Sequence, residues 1–279
     1  MIVGICGAGT MGRGIGIASL TAGHTVILFD ISHDAVQSSQ TYVINQMAKA
    51  VEKGKISQEV LDSINLSATN EIGDLATCDI IIEAIAERLE IKHDLFTELE
   101  AVVSSSCLLT TNTSSISIAS IARVLKNPER FAGLHFFNPA HIMKLVEVIR
   151  GPRTSEVVVE TLVSFSRHLG KTPVVAKDAP GFIVNRIARN YYNEAQRVVM
   201  EGACDITAVD ELMKGLGFKM GPFELMDLIG VDVNLDVTKS QWAQFFHEPR
   251  FTPSLLQQQM VDAGLYGKKN GRGFYDHTT

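Results

Sequence analysis

Up to about residue 180 the chain alternates between short, mostly apolar runs and longer stretches with an interrupted apolar face. The short runs are 2–6, 25–30, 79–85, 107–111, 134–137, 145–149 and 172–176. Apolar and β-branched residues in runs of that length, bounded by turn residues, predict strands. Helical periodicities lie between them: from Gly12 through Leu20, over 32–54 on Val36, Tyr42, Val43, Met47, Ala50 and Val51, over 89–103, through Ile118 and Ile121, and over 156–169. A shorter helix starts at Ser57-Gln58-Glu59, and either Ser117 or the Asn112–Ser115 cluster caps the helix through Ile118. Run 79–85 is apolar through its middle, as a central parallel strand buried on both faces should be. Strand and helix in alternation predict an α/β fold with a doubly wound, mostly parallel sheet.

The pattern changes at Lys177-Asp178-Ala179-Pro180-Gly181. From there on, helical periodicities broken by Gly-rich turns cover about 182–201, 207–216, 222–244 and 253–262. The reading is two domains, 1–180 α/β and 181–279 smaller and all-α. The segments 182–201 and 222–244 are unusually apolar for a small domain, with Ile183, Val184, Ile187, Leu225, Met226, Leu228, Ile229 and Val231. That much apolar surface predicts a second copy of the chain docked on it, a homodimer.

Composition excludes several function classes. The 279 residues are 46% hydrophobic and 20% charged, an ordinary globular balance. Net charge is −6 with no block of like charge, so nothing prepares the surface for nucleic acid. No apolar run reaches the roughly 18 to 20 residues of a membrane span. The N-terminus opens on a Gly-rich motif, and the expectation is a cytoplasmic protein, or one whose targeting segment has been removed. Cys6, Cys78, Cys107 and Cys204 form no CxxC and read as reduced core residues. The histidines have no metal-ligand spacing, so no metal is expected.

Two stretches carry chemistry. Strand 2–6 leads directly into Gly7-Ala8-Gly9-Thr10-Met11-Gly12 at the head of a helix, and the next strand ends at Asp30. A GxGxxG alone is weak, but strand, helix and acidic residue in this order are the confirming context of a Rossmann-type dinucleotide site. Gly7 permits the tight turn, Gly9 lets main chain approach a pyrophosphate, and Gly12 lets the helix pack on the strand. The helix N-terminus offers unpaired N–H groups to phosphate. Asp30 accepts from ribose hydroxyls and repels a 2′-phosphate, which selects NAD over NADP.

The second stretch is Leu134-His135-Phe136-Phe137-Asn138-Pro139 followed by Leu145-Val146-Glu147-Val148-Ile149. Two strand-like runs joined by turn residues predict a hairpin. With Phe137 and Met143 flanking the turn, His135 faces Leu145, and Glu147 lies one diagonal step away on the same face. The bland alternative is a buried histidine on a core neighbour and a solvated glutamate. An imidazole is suited to taking a hydroxyl proton while hydride leaves the carbon, and a carboxylate on its other nitrogen fixes the tautomer.

Taken together, the motifs resemble those of the short-chain 3-hydroxyacyl-CoA dehydrogenases, over essentially the whole chain. The likeness rests on Gly7–Gly12, Glu83-Ala84-Ile85-Ala86-Glu87, Asn112–Ser115, His135–Pro139, Pro180–Arg186, Met220-Gly221-Pro222 and Gly267–Tyr275. It implies a catalytic His135 with Glu147, and Ser114 and Asn185 on the reacting part of the substrate. It implies NAD contacts from Asp30, Glu87, Lys92, Ser114, Asn138 and Lys269, and acyl-CoA held near Lys53 or Lys55. The segment from Glu248 to Tyr275 is also similar to relatives that oxidise dicarboxylic acyl-CoAs, so a 3-hydroxyadipyl-CoA-type substrate stays open. Dehydrogenases of free β-hydroxy acids join similar domains but use a lysine on the first interdomain helix, where this chain has Asn185 and Arg186. A non-catalytic dinucleotide-binding relative is the remaining alternative.

Overall fold

The structure is a computed structural model describing residues Met1–Thr278. The chain separates into two compact units, one ending at Ala179 and the other starting at Pro180.

The first unit is built on one eight-stranded sheet in the order β3-β2-β1-β4-β5-β6-β7-β8. Its strands are β1 (Ile2–Cys6), β2 (Thr25–Phe29), β3 (Asn65–Thr69), β4 (Ile80–Glu83), β5 (Leu108–Thr111), β6 (Phe131–Phe136), β7 (Leu145–Arg150) and β8 (Thr172–Lys177). Neighbours from β3 to β6 are parallel, β6 and β7 are antiparallel, and β8 follows β7. Helices α1 (Thr10–Thr21), α2 (His33–Glu52), α3 (Gln58–Asp62), α4 (Leu89–Val102), α5 (Ile118–Ala122) and α6 (Glu156–His168) connect them. The predicted fold class therefore stands. The core explains the short apolar runs: Ile80, Ile81 and Ile82 are fully buried, as are Val3, Ile5, Val26 and Leu28. Burying each such side chain stabilises by about 1.5–3 kcal/mol.

Three local expectations are corrected. Strand β3, Asn65-Leu66-Ser67-Ala68-Thr69, was not expected, because an edge strand needs only one half-buried face and carries too few apolar residues to stand out. The helix predicted over 222–244 is two helices, α9 (Pro222–Ile229) and α10 (Val231–Gln244), parted by Gly230 at φ 105°. A backbone in that region cannot continue a right-handed helix. The third is the hairpin register: β6 pairs with β7 so that His135 lies opposite Glu147, not Leu145. The connection between β6 and β7 runs from Phe137 to Lys144. Lys171 Nζ, buried, donates to the carbonyls of Ala140 (2.6 Å) and Met143 (2.9 Å) and so fixes its course. A slip of two residues keeps every side chain on its face, which is why the facing of the pair was anticipated and its partner was not.

The second unit also contains α7 (Val184–Met200), α8 (Ile206–Gly215) and α11 (Leu255–Asp262). Its core gathers Tyr192, Ala195, Val209, Phe223 and Met226. Buried Asp227 accepts from the main-chain N–H groups of Phe274 and Tyr275, at 2.9 Å each, and so ties the last segment to α9.

Candidate active site

Because β1 to β6 run parallel, the groups that follow them gather along one edge of the sheet, where open α/β folds bind ligands. The Gly-rich turn follows β1, Asp30 follows β2, Glu87 lies beyond β4, Asn112–Ser115 follow β5, and His135 is near the end of β6.

At the turn, Gly7 has φ 107°, and a Cβ there would meet the carbonyl oxygen of Ala84 at 2.5 Å. A Cβ on Gly12 would lie 1.8 Å from the carbonyl oxygen of Gly7. Both positions are closed to a side chain by backbone. Gly9 differs, since a Cβ there would meet nothing within 4 Å. Its bareness leaves the approach to the N-terminus of α1 open, and neither a side-chain cap nor an acidic residue occupies that first turn. Thr10 and Met11 open the helix. Asp30 Oδ2 accepts from Ala8 N–H at 2.8 Å and Oδ1 from Ser32 N–H at 3.0 Å, which anchors the carboxylate beside the turn with lone pairs to spare. This is a fitting cradle for a dinucleotide diphosphate and its ribose.

Past β4 lies a polar network of which only part was anticipated. Lys92, 1% exposed, places Nζ 2.6 Å from Glu83 Oε1 and 3.2 Å from Glu87 Oε2. Glu83, completely buried, also accepts from Thr111 Oγ1 and the N–H of Ile85. Burial pushes the Glu83 carboxyl up, against the opposing pull of Lys92 and these hydrogen bonds. Burial would raise Glu87 too, but Lys92 and hydrogen bonds from Thr113 and Ser115 outweigh it and lower its pKa. Glu87 Oε1 accepts from the N–H groups of Ser114 (3.0 Å) and Ser115 (3.2 Å), so this carboxylate shapes the loop that carries Ser114.

The hairpin brings His135 and Glu147 together. His135 Nδ1 and Glu147 Oε2 are 2.7 Å apart, with His135 5% and Glu147 1% exposed. Phe137 packs beside the imidazole, ring centres 4.5 Å apart. Asn112 Oδ1 accepts from Phe136 N–H at 2.8 Å and ties the β5 loop to the strand next to His135. Asn138 is exposed on the connection beyond, ahead of a cis bond to Pro139.

The remaining predicted residues are more scattered. Lys53 and Lys55 are exposed at the end of α2. Burial lowers the pKa of His141, and the charges of Lys171 and Lys55 lower it further, so Lys55 lies within electrostatic reach of the loop that follows His135. Asn185 is the second residue of α7, and Lys269 pairs with Asp232 near the end of the chain. Sequence reasoning missed Asn112 as a positioning group, Glu83, Lys171, and Asp178, which accepts from Ser117 Oγ and the N–H groups of Ile118 and Ala119. The first had a signal in its polar cluster, whereas the others become visible only once burial is known.

Residues 2–179 match the model of the 3-hydroxyacyl-CoA dehydrogenase NAD-binding domain, and residues 181–277 match that of the same family's C-terminal domain. The chain belongs to the 3-hydroxyacyl-CoA dehydrogenase family. It is 48% identical over 277 residues to a 3-hydroxyadipyl-CoA dehydrogenase of Escherichia coli strain K12, a match covering 98% of this chain. The chain spans only 58% of that relative's length. It is 38% identical to the mitochondrial hydroxyacyl-coenzyme A dehydrogenase of Sus scrofa, with 99% of this chain and 90% of the relative covered. Among solved structures it is similar to (S)-3-hydroxybutyryl-CoA dehydrogenase from Ralstonia eutropha, with TM-score 0.95, 38% identity, and 100% and 99% of the two chains covered. For a 3-hydroxyacyl-CoA dehydrogenase domain pair, the cradle around Gly9 and Asp30 is the place that fits NAD. Among the described residues no helix is long and apolar enough to cross a membrane.

Proposed function

We propose that this chain catalyses the NAD-dependent oxidation of an (S)-3-hydroxyacyl-CoA to the 3-ketoacyl-CoA, or the reverse reduction, with His135 as acid and base and Glu147 orienting it. The observation that carries this reading is the buried 2.7 Å contact between His135 Nδ1 and Glu147 Oε2. With Nδ1 facing the carboxylate, Nε2 is the nitrogen assigned to the proton of the 3-hydroxyl. When bound, NAD supplies the hydride acceptor. The Glu147 charge stabilises the imidazolium that forms, as an orienting carboxylate does in hydrolytic triads. In reduction, protonated Nε2 donates to the 3-keto oxygen. Burial of the pair keeps bulk water from competing for that proton.

Ser114 and Asn185 are assigned to the substrate oxygens, as donors to charge that develops during the reaction. Gly7, Gly9, Thr10, Met11, Gly12 and Asp30 take the diphosphate and ribose. Asn138 and Lys269 join the cofactor contacts, with Glu87 and Lys92 acting there chiefly through the loop they hold. Lys53 or Lys55 meets the CoA moiety. The names of the relatives span hydroxybutyryl and hydroxyadipyl substrates.

The test compares acetoacetyl-CoA with free acetoacetate as oxidant of NADH. The thioester is consumed and the free acid is not. Equal consumption of both, or of neither, overturns the reading.

A second copy of the chain is proposed to pack on the helical unit. Ile187 (67% exposed), Leu216 (68%) and Phe246 (93%) support this, since apolar side chains of that size are costly to leave in water. Light scattering is expected to give the mass of two chains, and a monomer at micromolar concentration would refute the assembly.

A further inference from the structure

The helical unit contains a buried cation without an anion. Arg189, on α7, is 3% exposed, and burial pushes its pKa down to about 10. Its Nη1 donates to the carbonyl oxygen of Asn234 (2.8 Å), to Asn234 Oδ1 (3.1 Å) and to Thr238 Oγ1 (2.8 Å). The face of the guanidinium lies over the ring of Tyr192, 4.8 Å from its centre. Nε is buried without an acceptor. Among the described residues Nη2 has no hydrogen-bond acceptor and no carboxylate pairs with Arg189.

One whole edge of the fork is therefore unspent. The Nε and Nη2 N–H groups point in parallel, in the arrangement that binds both oxygens of a carboxylate. A second donor adjoins it. Asn234 turns its Oδ1 to Arg189 Nη1 and to Gln257 Nε2 (2.9 Å), and its Nδ2 is buried without an acceptor. A charged group is costly to bury unpaired, so a buried guanidinium with one edge unpartnered suits an anion from outside the chain.

The position of Arg189 says which anion. It follows Asn185 by four residues on the same helix, so the two side chains share a face one turn apart, with Cβ atoms about 5–6 Å from each other. We propose that Arg189 reads a carboxylate at the far end of the acyl group, making the preferred substrate a 3-hydroxyacyl-CoA of a dicarboxylic acid. This rests on the dehydrogenase reading above and on Asn185 meeting the substrate near its 3-oxygen. A carboxylate three carbon–carbon bonds beyond C3 then spans the helical turn between the two side chains. An acyl chain ending in methyl leaves the open edge unfilled and desolvated, which is the kind of mismatch that polar sites reject most strongly.

The experiment measures kcat/KM with NADH for 3-ketoadipyl-CoA and for 3-ketohexanoyl-CoA, which have the same chain length and differ in the terminal group. The native enzyme favours the dicarboxylic thioester by roughly 10²-fold, in line with loss of a charged partner from a desolvated site. In Arg189→Leu that ratio falls to near unity. Arg189→Lys, which keeps a cation without the two-toothed edge, falls between. An arginine that only braced α7 against α10 would change both substrates together and leave the ratio untouched, and that result overturns the proposal. A ratio near unity in the native enzyme overturns it as well, without need of a variant that folds. If both thioesters are reduced without discrimination, the specificity proposal alone fails. If neither is reduced, the dehydrogenase reading fails and takes this one with it.

Discussion

Replacing His135 by alanine lowers turnover by roughly 10²- to 10⁴-fold, the usual contribution of a positioned acid and base, while NAD binding stays intact. The reason is geometric. Nδ1 faces Glu147 at 2.7 Å, which orients the ring, and no other described imidazole shares that hairpin contact. The cofactor cradle lies at the ends of β1 and β2 and does not depend on the ring. Alanine also takes the imidazole from Glu147, which is 1% exposed, and a buried carboxylate that loses a hydrogen-bonded neighbour weakens folding. His135→Asn separates the two effects, because its amide nitrogen takes the place of Nδ1 and keeps a donor for Glu147 but cannot carry a proton between substrate and solvent. Turnover is read from the initial rate with acetoacetyl-CoA and NADH, and binding from NADH fluorescence. An asparagine variant that folds, binds NADH and turns over within a few-fold of the native enzyme sinks the mechanism.

The second large effect is on stability. Lys92→Met removes the cation that, among the described residues, pairs with Glu83, a side chain with no exposure. Burial already holds the Glu83 carboxyl above its ordinary value of 4.5, and loss of the attraction of Lys92 drives it higher. Removing one partner of a buried ion pair leaves the other uncompensated, and breaking such a pair costs roughly 3–5 kcal/mol. The sign with pH follows from a folded-state value above the unfolded one: the contribution is complete below about 4.5 and is lost as pH rises through the folded value. The Tm of Lys92→Met is therefore expected to fall roughly 10 °C below the native protein at pH 7, and the gap narrows on acidification. A deficit that is constant from pH 7 to pH 5 refutes the account. Because Glu87 shares Lys92 and holds the N–H groups of Ser114 and Ser115, the same variant loosens the loop that carries Ser114.

Much of the first unit was legible from local pattern. Runs such as Ile80-Ile81-Ile82 announce central strands because both their faces are buried, and the Gly7–Gly12 turn announces itself because backbone geometry requires glycine at positions 7 and 12. Side-chain caps at Ser32, Ser117 and Ser155 start their helices in the expected places. The candidate site was legible as a set of residue types and less so as a geometry. His135 and Glu147 were expected on one face, diagonally placed; their direct opposition depends on a connection whose course is held by Lys171, a residue about thirty positions further on. Lys92 was expected at the cofactor, yet its ammonium lies in the interior between two carboxylates.

The division has a physical basis. Periodicity, glycine at positive φ and helix caps depend on residues within a turn or two of each other, so the chain's own order specifies them: the α/β alternation, the dinucleotide turn and the boundary near Pro180. Strand register, the edge strand β3, the buried Glu83–Lys92 pair and the open edge of Arg189 depend on which distant segments exclude water together. A charge is ordinary on the surface and decisive inside, and only folding says which of these it is.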